Sequence, residues 1–169
     1  MIEDRDPSRG PAPVPAAPAV RPVLPADLPR IAELMHEHIA YERSAPVADG
    51  LAGRLHEALF GPGADPARRI LAAIGPDGRI LGYAACAPEF AFWEARSHLH
   101  LDCLYLAEDA RGHGLGAALV AAVAELAREL GMAQVQWQTP EWNEGAVRFY
   151  RRLGADFLPK LRFRLPVSD

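Results

Sequence analysis

The chain has 169 residues, 50% of them hydrophobic and 24% charged, an ordinary globular composition with enough length for one domain's core, which excludes a wholly disordered or fibrous protein. A formal charge of −4 gives no general basic field for nucleic acid or an anionic membrane, so neither is expected as a partner. Two cysteines, Cys86 and Cys103, are too few to staple a small secreted fold, no apolar run nears the roughly 20 residues of a membrane span, and the acidic N-terminus does not read as a secretory signal; a cytoplasmic protein is expected.

Residues 1–18 carry five prolines among Ala, Val and Gly and read as a disordered tail, with a proline-rich ligand for a partner domain as the functional alternative. Residues 19–169 read as one folded domain. Val20–Leu24 suggests a strand, and Asp27 a helix cap. Leu28, Ile31, Leu34, Met35 and Ile39 then recur at helical spacing to about Tyr41. Leu51–Phe60 suggests a second helix, ended by Gly61-Pro62-Gly63. Arg69–Ile74 and Arg79–Cys86 are apolar strands around Gly75-Pro76-Asp77-Gly78, a hairpin turn. The aromatic run Phe90–Trp93 leads into a strand over about His98–Leu106; core packing is the usual fate of such a run. A helix to about Leu130 stopped by Gly131, a strand at Ala133–Gln138, a helix at Asn143–Leu153 and a closing strand at Lys160–Leu165 complete the order β-α-α-β-β-β-α-β-α-β. That order implies an α/β fold with a mixed, mostly antiparallel sheet flanked by helices.

The segment Arg111-Gly112-His113-Gly114-Leu115-Gly116-Ala117 lies between a strand and a helix. Glycines at alternating positions let a ligand approach the backbone, and the helix they open has unpaired amides at its positive end. With Arg111 this is a diphosphate-sized anion site. No Gly-Lys-Ser/Thr follows, so the nucleoside triphosphate version fails. The dinucleotide version fits poorly because no βαβ unit precedes.

This run resembles the Arg/Gln-x-x-Gly-x-Gly/Ala signature of the GNAT N-acetyltransferases. Leu104-Tyr105-Leu106 before it and Glu141-Trp142-Asn143-Glu144 with Phe149-Tyr150-Arg151-Arg152 after it are similar to that family's other blocks. The diamine and thialysine acetyltransferase group is the most alike. The resemblance implies acetyl-CoA as co-substrate, held by Leu104, Tyr105, Leu106, Arg111, Gly112, His113, Gly114, Leu115, Gly116, Ala117 and Asn143. It implies Tyr41, Glu42, Asp102 and Trp142 on the amine acceptor, and a homodimer. Where the group usually has Leu-Glu-Asp, this chain has Leu101-Asp102-Cys103.

An alkylammonium must lose a proton before it attacks a thioester, and the departing thiolate is helped by an acid. Tyr150, matching the family's catalytic tyrosine, is the expected acid, although its spacing with Ala146, Phe149 and Leu153 alone suits a core residue. Asp102, working through water, is the expected base, with His100 second. Glu42, Glu89, Glu94, Asp102 and Glu141 together suit a cationic acceptor, although Glu42, Glu89 and Glu94 each alone read as surface charge. His98, His100 and Asp102 share a strand face while pairing is regular, but no further donor cluster accompanies them, so no metal is expected. Cys103 reads as a small apolar residue rather than a nucleophile. The expected activity is direct acetyl transfer to a primary amine of a polyamine-like or lysine-like small molecule. An aminoglycoside, a protein amino group, or a non-catalytic acyl-CoA sensor are the alternatives.

Overall fold

The computed structural model describes residues 19–167, so the expected tail at 1–18 lies outside the described residues. The chain forms two compact units, one ending at Trp137 and the other starting at Gln138.

In the first unit the elements are β1 (Ala19–Pro22), α1 (Leu28–Tyr41), α2 (Leu51–Phe60), β2 (Arg69–Ile74), β3 (Ile80–Ala91), β4 (Arg96–Leu106), α3 (Leu115–Glu129) and β5 (Val135–Gln136). The strands form one sheet in chain order. Neighbours are antiparallel through β4, and β5 returns parallel to β4 after the α3 crossover. Four consecutive residues of β2 are buried, Ile70 to Ala73, rather than every second one; that is the burial of a strand covered on both faces. Leu28, Ile31 and Leu34 of α1, Leu119 and Val123 of α3, and Tyr83 and Leu99 of the sheet are essentially inaccessible to solvent and form the core.

The local chemistry explains most boundaries. Gly75 N–H bonds Arg79 O and Gly78 N–H bonds Gly75 O, closing the expected hairpin with Gly78 at φ 81°. After α3, Gly131 adopts φ 70°; its N–H bonds Arg128 O and the Met132 N–H bonds Ala127 O, a Schellman stop. Asp27 stands at the N-cap of α1 but does not cap its amides. Its carboxylate instead accepts the Leu24 N–H at 2.7 Å and pairs with Arg21 at 2.6 Å, and that hydrogen-bonded guanidinium holds it below the usual carboxylate range.

Three expectations change. β3 continues past Cys86 through Pro88, which pairs with Leu99. The Leu99 N–H points outward to Gln134 O, so this is a non-hydrogen-bonded pair, and β2 pairing has already ended at Cys86. The missing proline donor therefore falls on an edge that no described strand occupies. The aromatic run is not core: Phe92 and Trp93 form the β3–β4 hairpin tip and are 85% and 99% exposed. β5 keeps only two residues, paired at Leu99 and His100.

In the second unit, α4 (Glu144–Arg152) is capped by Asn143, whose Oδ1 accepts the Ala146 N–H at 3.1 Å. Gly154 ends it at φ 88° in a second Schellman pattern. The expected strand at Lys160–Leu165 does not form among the described residues. Leu161, Phe163 and Leu165 alternate with cations as a half-buried strand requires. A strand also needs a neighbour's backbone and a cover for its apolar row, and these three side chains remain exposed.

The inaccessible core side chains predict a clear stability contrast. Leu119→Ala should lower unfolding free energy by about 2–5 kcal/mol in urea titration, whereas Leu161→Ala should change it by less than about 0.5 kcal/mol.

Candidate functional site

β4 contains one residue more than the length of β3 it pairs with. Ala85 pairs with Cys103 but Cys86 pairs with Leu101, so Asp102 is the extra residue of a β-bulge. Regular pairing would put Asp102 on the face of His98 and His100; the bulge removes that condition. Glu89, Ala87, Ala85 and Tyr83 lie on one face of β3, and their partners are His98, His100, Cys103 and Tyr105. This is the face α1 covers, since the His38 Nδ1 lies 3.0 Å from the Tyr83 hydroxyl and the His38 ring stacks on Tyr105 at 5.0 Å. Leu99, Leu101, Leu104 and Leu106 share the opposite face.

A cavity of about 200 Å³ opens on the α1 face, between Met35, Ile39, Val47, Leu51 and the polar groups of His38, Glu42, Tyr83 and Cys103. Its inner wall is a chain of polar side chains. Glu42 Oε1 lies 3.4 Å from His38 Nε2, which places the imidazole proton there and lets Nδ1 accept from Tyr83. The Cys103 thiol donates to Asp102 Oδ2 at 3.5 Å, and His100 Nε2 stands 4.0 Å from Asp102 Oδ1. Burial pushes the Cys103 thiol up to about 12, with the Asp102 charge adding to it. At neutral pH it is a thiol, with no thiolate to act as nucleophile. Burial likewise raises Tyr83 and lowers His38, the latter against the Glu42 carboxylate.

The end of β4 feeds the glycine turn. Gly112 and Gly114 have φ 82° and 81°, a left-handed backbone that favours glycine, and a side chain built on either would meet open space, so the outer surface of the turn is uncovered. Gly114 is the N-cap of α3, and the first bond back into the turn is Ala118 N–H to Gly114 O. The amides of Leu115, Gly116 and Ala117 belong to the first turn, where no helical acceptor exists. Together these form a cradle for an anion. The Arg111 side chain reaches away from it: Nε donates to Leu106 O at 3.1 Å, and the guanidinium sits 5.0 Å from the Tyr41 ring centre and 5.5 Å from that of Tyr105.

The first unit thus brings together Asp102, His100, Glu42, Tyr41, Tyr105 and Arg111 around the α1 face and the glycine turn. Leu104 and Leu106 contribute backbone from the other face of β4, whose far edge is unpaired by strands beyond His100 among the described residues. Asn143, Trp142 and Tyr150 stand in the second unit. There Asn143 caps α4, Trp142 is exposed, and the half-buried Tyr150 ring packs 5.1 Å from Phe149. Of the other acids, Glu94 pairs with Arg96 at the hairpin, and Glu89 faces His98 and His100. Sequence reasoning missed His38 and Tyr83. His38 was discernible as the residue four before Glu42, which caps the C-terminus of α1; Tyr83 needed the sheet register.

Residues 32–155 match the model of the acetyltransferase (GNAT) family. Among curated proteins the chain is similar to an L-ornithine N5-acetyltransferase of Arabidopsis thaliana, 28% identical over 53% of this chain and 40% of that one. It is 33% identical to a thialysine N-epsilon-acetyltransferase of Bos taurus, over 53% of each. The chain spans about half the length of these relatives. Among solved structures, a probable acetyltransferase superposes with a TM-score of 0.74 at 21% identity, covering 89% of this chain and 99% of that one. An aminoglycoside acetyltransferase from a soil metagenomic sample, in complex with sisomicin, gives 0.74 at 15% identity over 89% and 97%. These two likenesses concern the fold.

The lowered His38 value carries a pH prediction. Against its ordinary value of 6.5 the folded state binds the His38 proton less readily than the unfolded state, so this term adds stability as pH rises through the window below 6.5 and withdraws it on acidification. Burial sets the shift and the Arg111 charge adds to it, against the opposing Glu42 and Asp102 carboxylates. Urea unfolding at pH 7.5 and 5.0 should show a larger acid loss for wild type than for His38→Gln.

Proposed function

The chain belongs to the acetyltransferase (GNAT) family, and from that premise we propose that it moves an acetyl group from acetyl-CoA to a primary amine of a small, linear, polyamine-like or lysine-like acceptor. The observation that carries the proposal is the continuity of β4, which runs from Cys103 in the cavity wall, with Asp102 beside it, toward the glycine turn at Arg111–Ala117. The coenzyme would be held by the backbone of Leu104, Tyr105 and Leu106 and by the backbone of the turn residues Arg111, Gly112, His113, Gly114, Leu115, Gly116 and Ala117, the Arg111 side chain being engaged elsewhere. Asn143 would hold the coenzyme arm. The open cradle over Gly112 and Gly114 and the unpaired first-turn amides fit a diphosphate.

When bound, acetyl-CoA supplies the acetyl group as an activated thioester. The chain's own residues do the rest. Asp102 and Glu42 attract the acceptor's ammonium, with Tyr41 and Trp142 as further walls. Asp102 takes up the ammonium proton through a water molecule and so frees the nitrogen lone pair. Tyr150 returns a proton to the leaving sulfur. The Cys103 thiol stays protonated, in keeping with direct attack rather than an acyl-enzyme route. The cavity is below the roughly 300–1,000 Å³ of drug-sized sites, which favours a narrow alkylamine over an aminoglycoside. A homodimer in a soluble compartment completes the reading.

Free-thiol release from acetyl-CoA against spermidine, putrescine, lysine, thialysine and several aminoglycosides tests it directly. Turnover is expected with the linear amines. Coenzyme binding without turnover on any of them would turn the reading toward an acyl-CoA sensor. Two variants should separate binding from chemistry. Tyr150→Phe should lose about 10²-fold in kcat while keeping coenzyme affinity. Gly114→Val, forced to a left-handed φ with a branched side chain in the cradle, should lose coenzyme binding in calorimetry.

A further inference from the structure

We propose that Glu89, His98 and His100 form a binding site for one divalent transition-metal ion of the zinc class. The histidines alone, two residues apart on β4, gave only a pair of nitrogen donors. The strand register supplies the third, because Glu89 on β3 is directly opposite His98 and on the same face as His100. One donor atom from each residue lies within 4.8 Å of the others. Glu89 Oε2 is 3.6 Å from His98 Nε2 and 3.8 Å from His100 Nδ1. Donors about 2.0–2.2 Å from a tetrahedral ion stand roughly 3.3–3.6 Å from one another, so the two Glu89–histidine separations lie within a few tenths of an ångström of that spacing.

The chemistry of the set selects the ion. Two imidazoles and one carboxylate form a three-ligand set that zinc uses when it keeps an open position, and imidazole nitrogen favours zinc, nickel or copper over magnesium and calcium. Both imidazoles are largely withdrawn from water, while Glu89 is 57% exposed and leaves a path for the ion. One further observation fits an occupant. Behind His100, the Asp102 carboxylate stands 4.0 Å from Nε2 while Nδ1 faces the cluster, the arrangement in which an outer carboxylate orients a metal-bound imidazole. Because the three donors sit on one antiparallel hairpin, the site is largely assembled before an ion arrives.

The test uses the full chain, tag-free and stripped with chelator, titrated with Zn²⁺ alone by calorimetry and with Co²⁺ by visible absorption. One ion per chain is expected, with a dissociation constant of about 10 μM or tighter and visible Co²⁺ bands of a low-coordinate nitrogen–oxygen site. Glu89→Gln and His100→Ala should each weaken Zn²⁺ binding about 10-fold or more and remove the Co²⁺ bands. Glu89→Gln changes an exposed side chain and keeps the test valid should a histidine variant fold poorly. Absence of binding by wild type at about 100 μM Zn²⁺, or affinity kept within about 10-fold in Glu89→Gln, overturns the proposal.

Discussion

A single extra residue in one strand organises this molecule. Without the bulge at Asp102, alternation along β4 would set Leu104 and Leu106 beside His98 and His100, and Cys103 and Tyr105 beside Leu99 and Leu101. Each face of the sheet would then be half aliphatic and half polar. The bulge shifts the phase once, so that four leucines share the face opposite α1, and the histidines, the cysteine and the tyrosine share the face that α1 covers, where Cys103 lines the cavity. It also leaves Asp102 unpaired in the ladder, exposed, and between two polar neighbours, His100 and Cys103.

The cavity wall inherits its electrostatics from that sorting. Burial keeps Tyr83 and Cys103 neutral well beyond the pH at which a free phenol or thiol ionises, and holds His38 toward neutrality. The Glu42 carboxylate in that wall and Asp102 beside it thus adjoin side chains without a full charge, and the nearby Arg111 guanidinium is engaged by Tyr41, Tyr105 and the Leu106 carbonyl. The glycine turn, eight residues after the bulge's end at Cys103, presents the opposite polarity through backbone alone.

Much of this was legible in the sequence. α1, α2 and β2 have the limits their periodicity sets, because helices and hairpins are written in local spacing. The glycine turn was legible because positive φ requires its residue type. The bulge was legible in principle: the leucines at 99, 101, 104 and 106 step by two, then three, then two, and the odd step marks Asp102. What local spacing could not carry was anything that depends on register, such as Glu89 opposite His98, or Tyr83 against His38. The closing strand failed for the reverse reason: its pattern was right, but a strand is a relation between two segments and not a property of one.

Pro88 has a consequence for how the molecule meets others of its kind. Beyond Cys86 the β3–β4 ribbon runs on without β2, ending in the bare aromatic side chains of Phe92 and Trp93. A naked ribbon edge with sticky side chains at its end is a template on which further chains can add as strands. The ring of Pro88 removes one of the donors that an incoming strand would need at that edge, and its bulk stands where that strand would lie. Crowded in a cell with many copies of itself, the chain can therefore carry an aromatic tip without offering the adjoining backbone as a seed for fibrous growth.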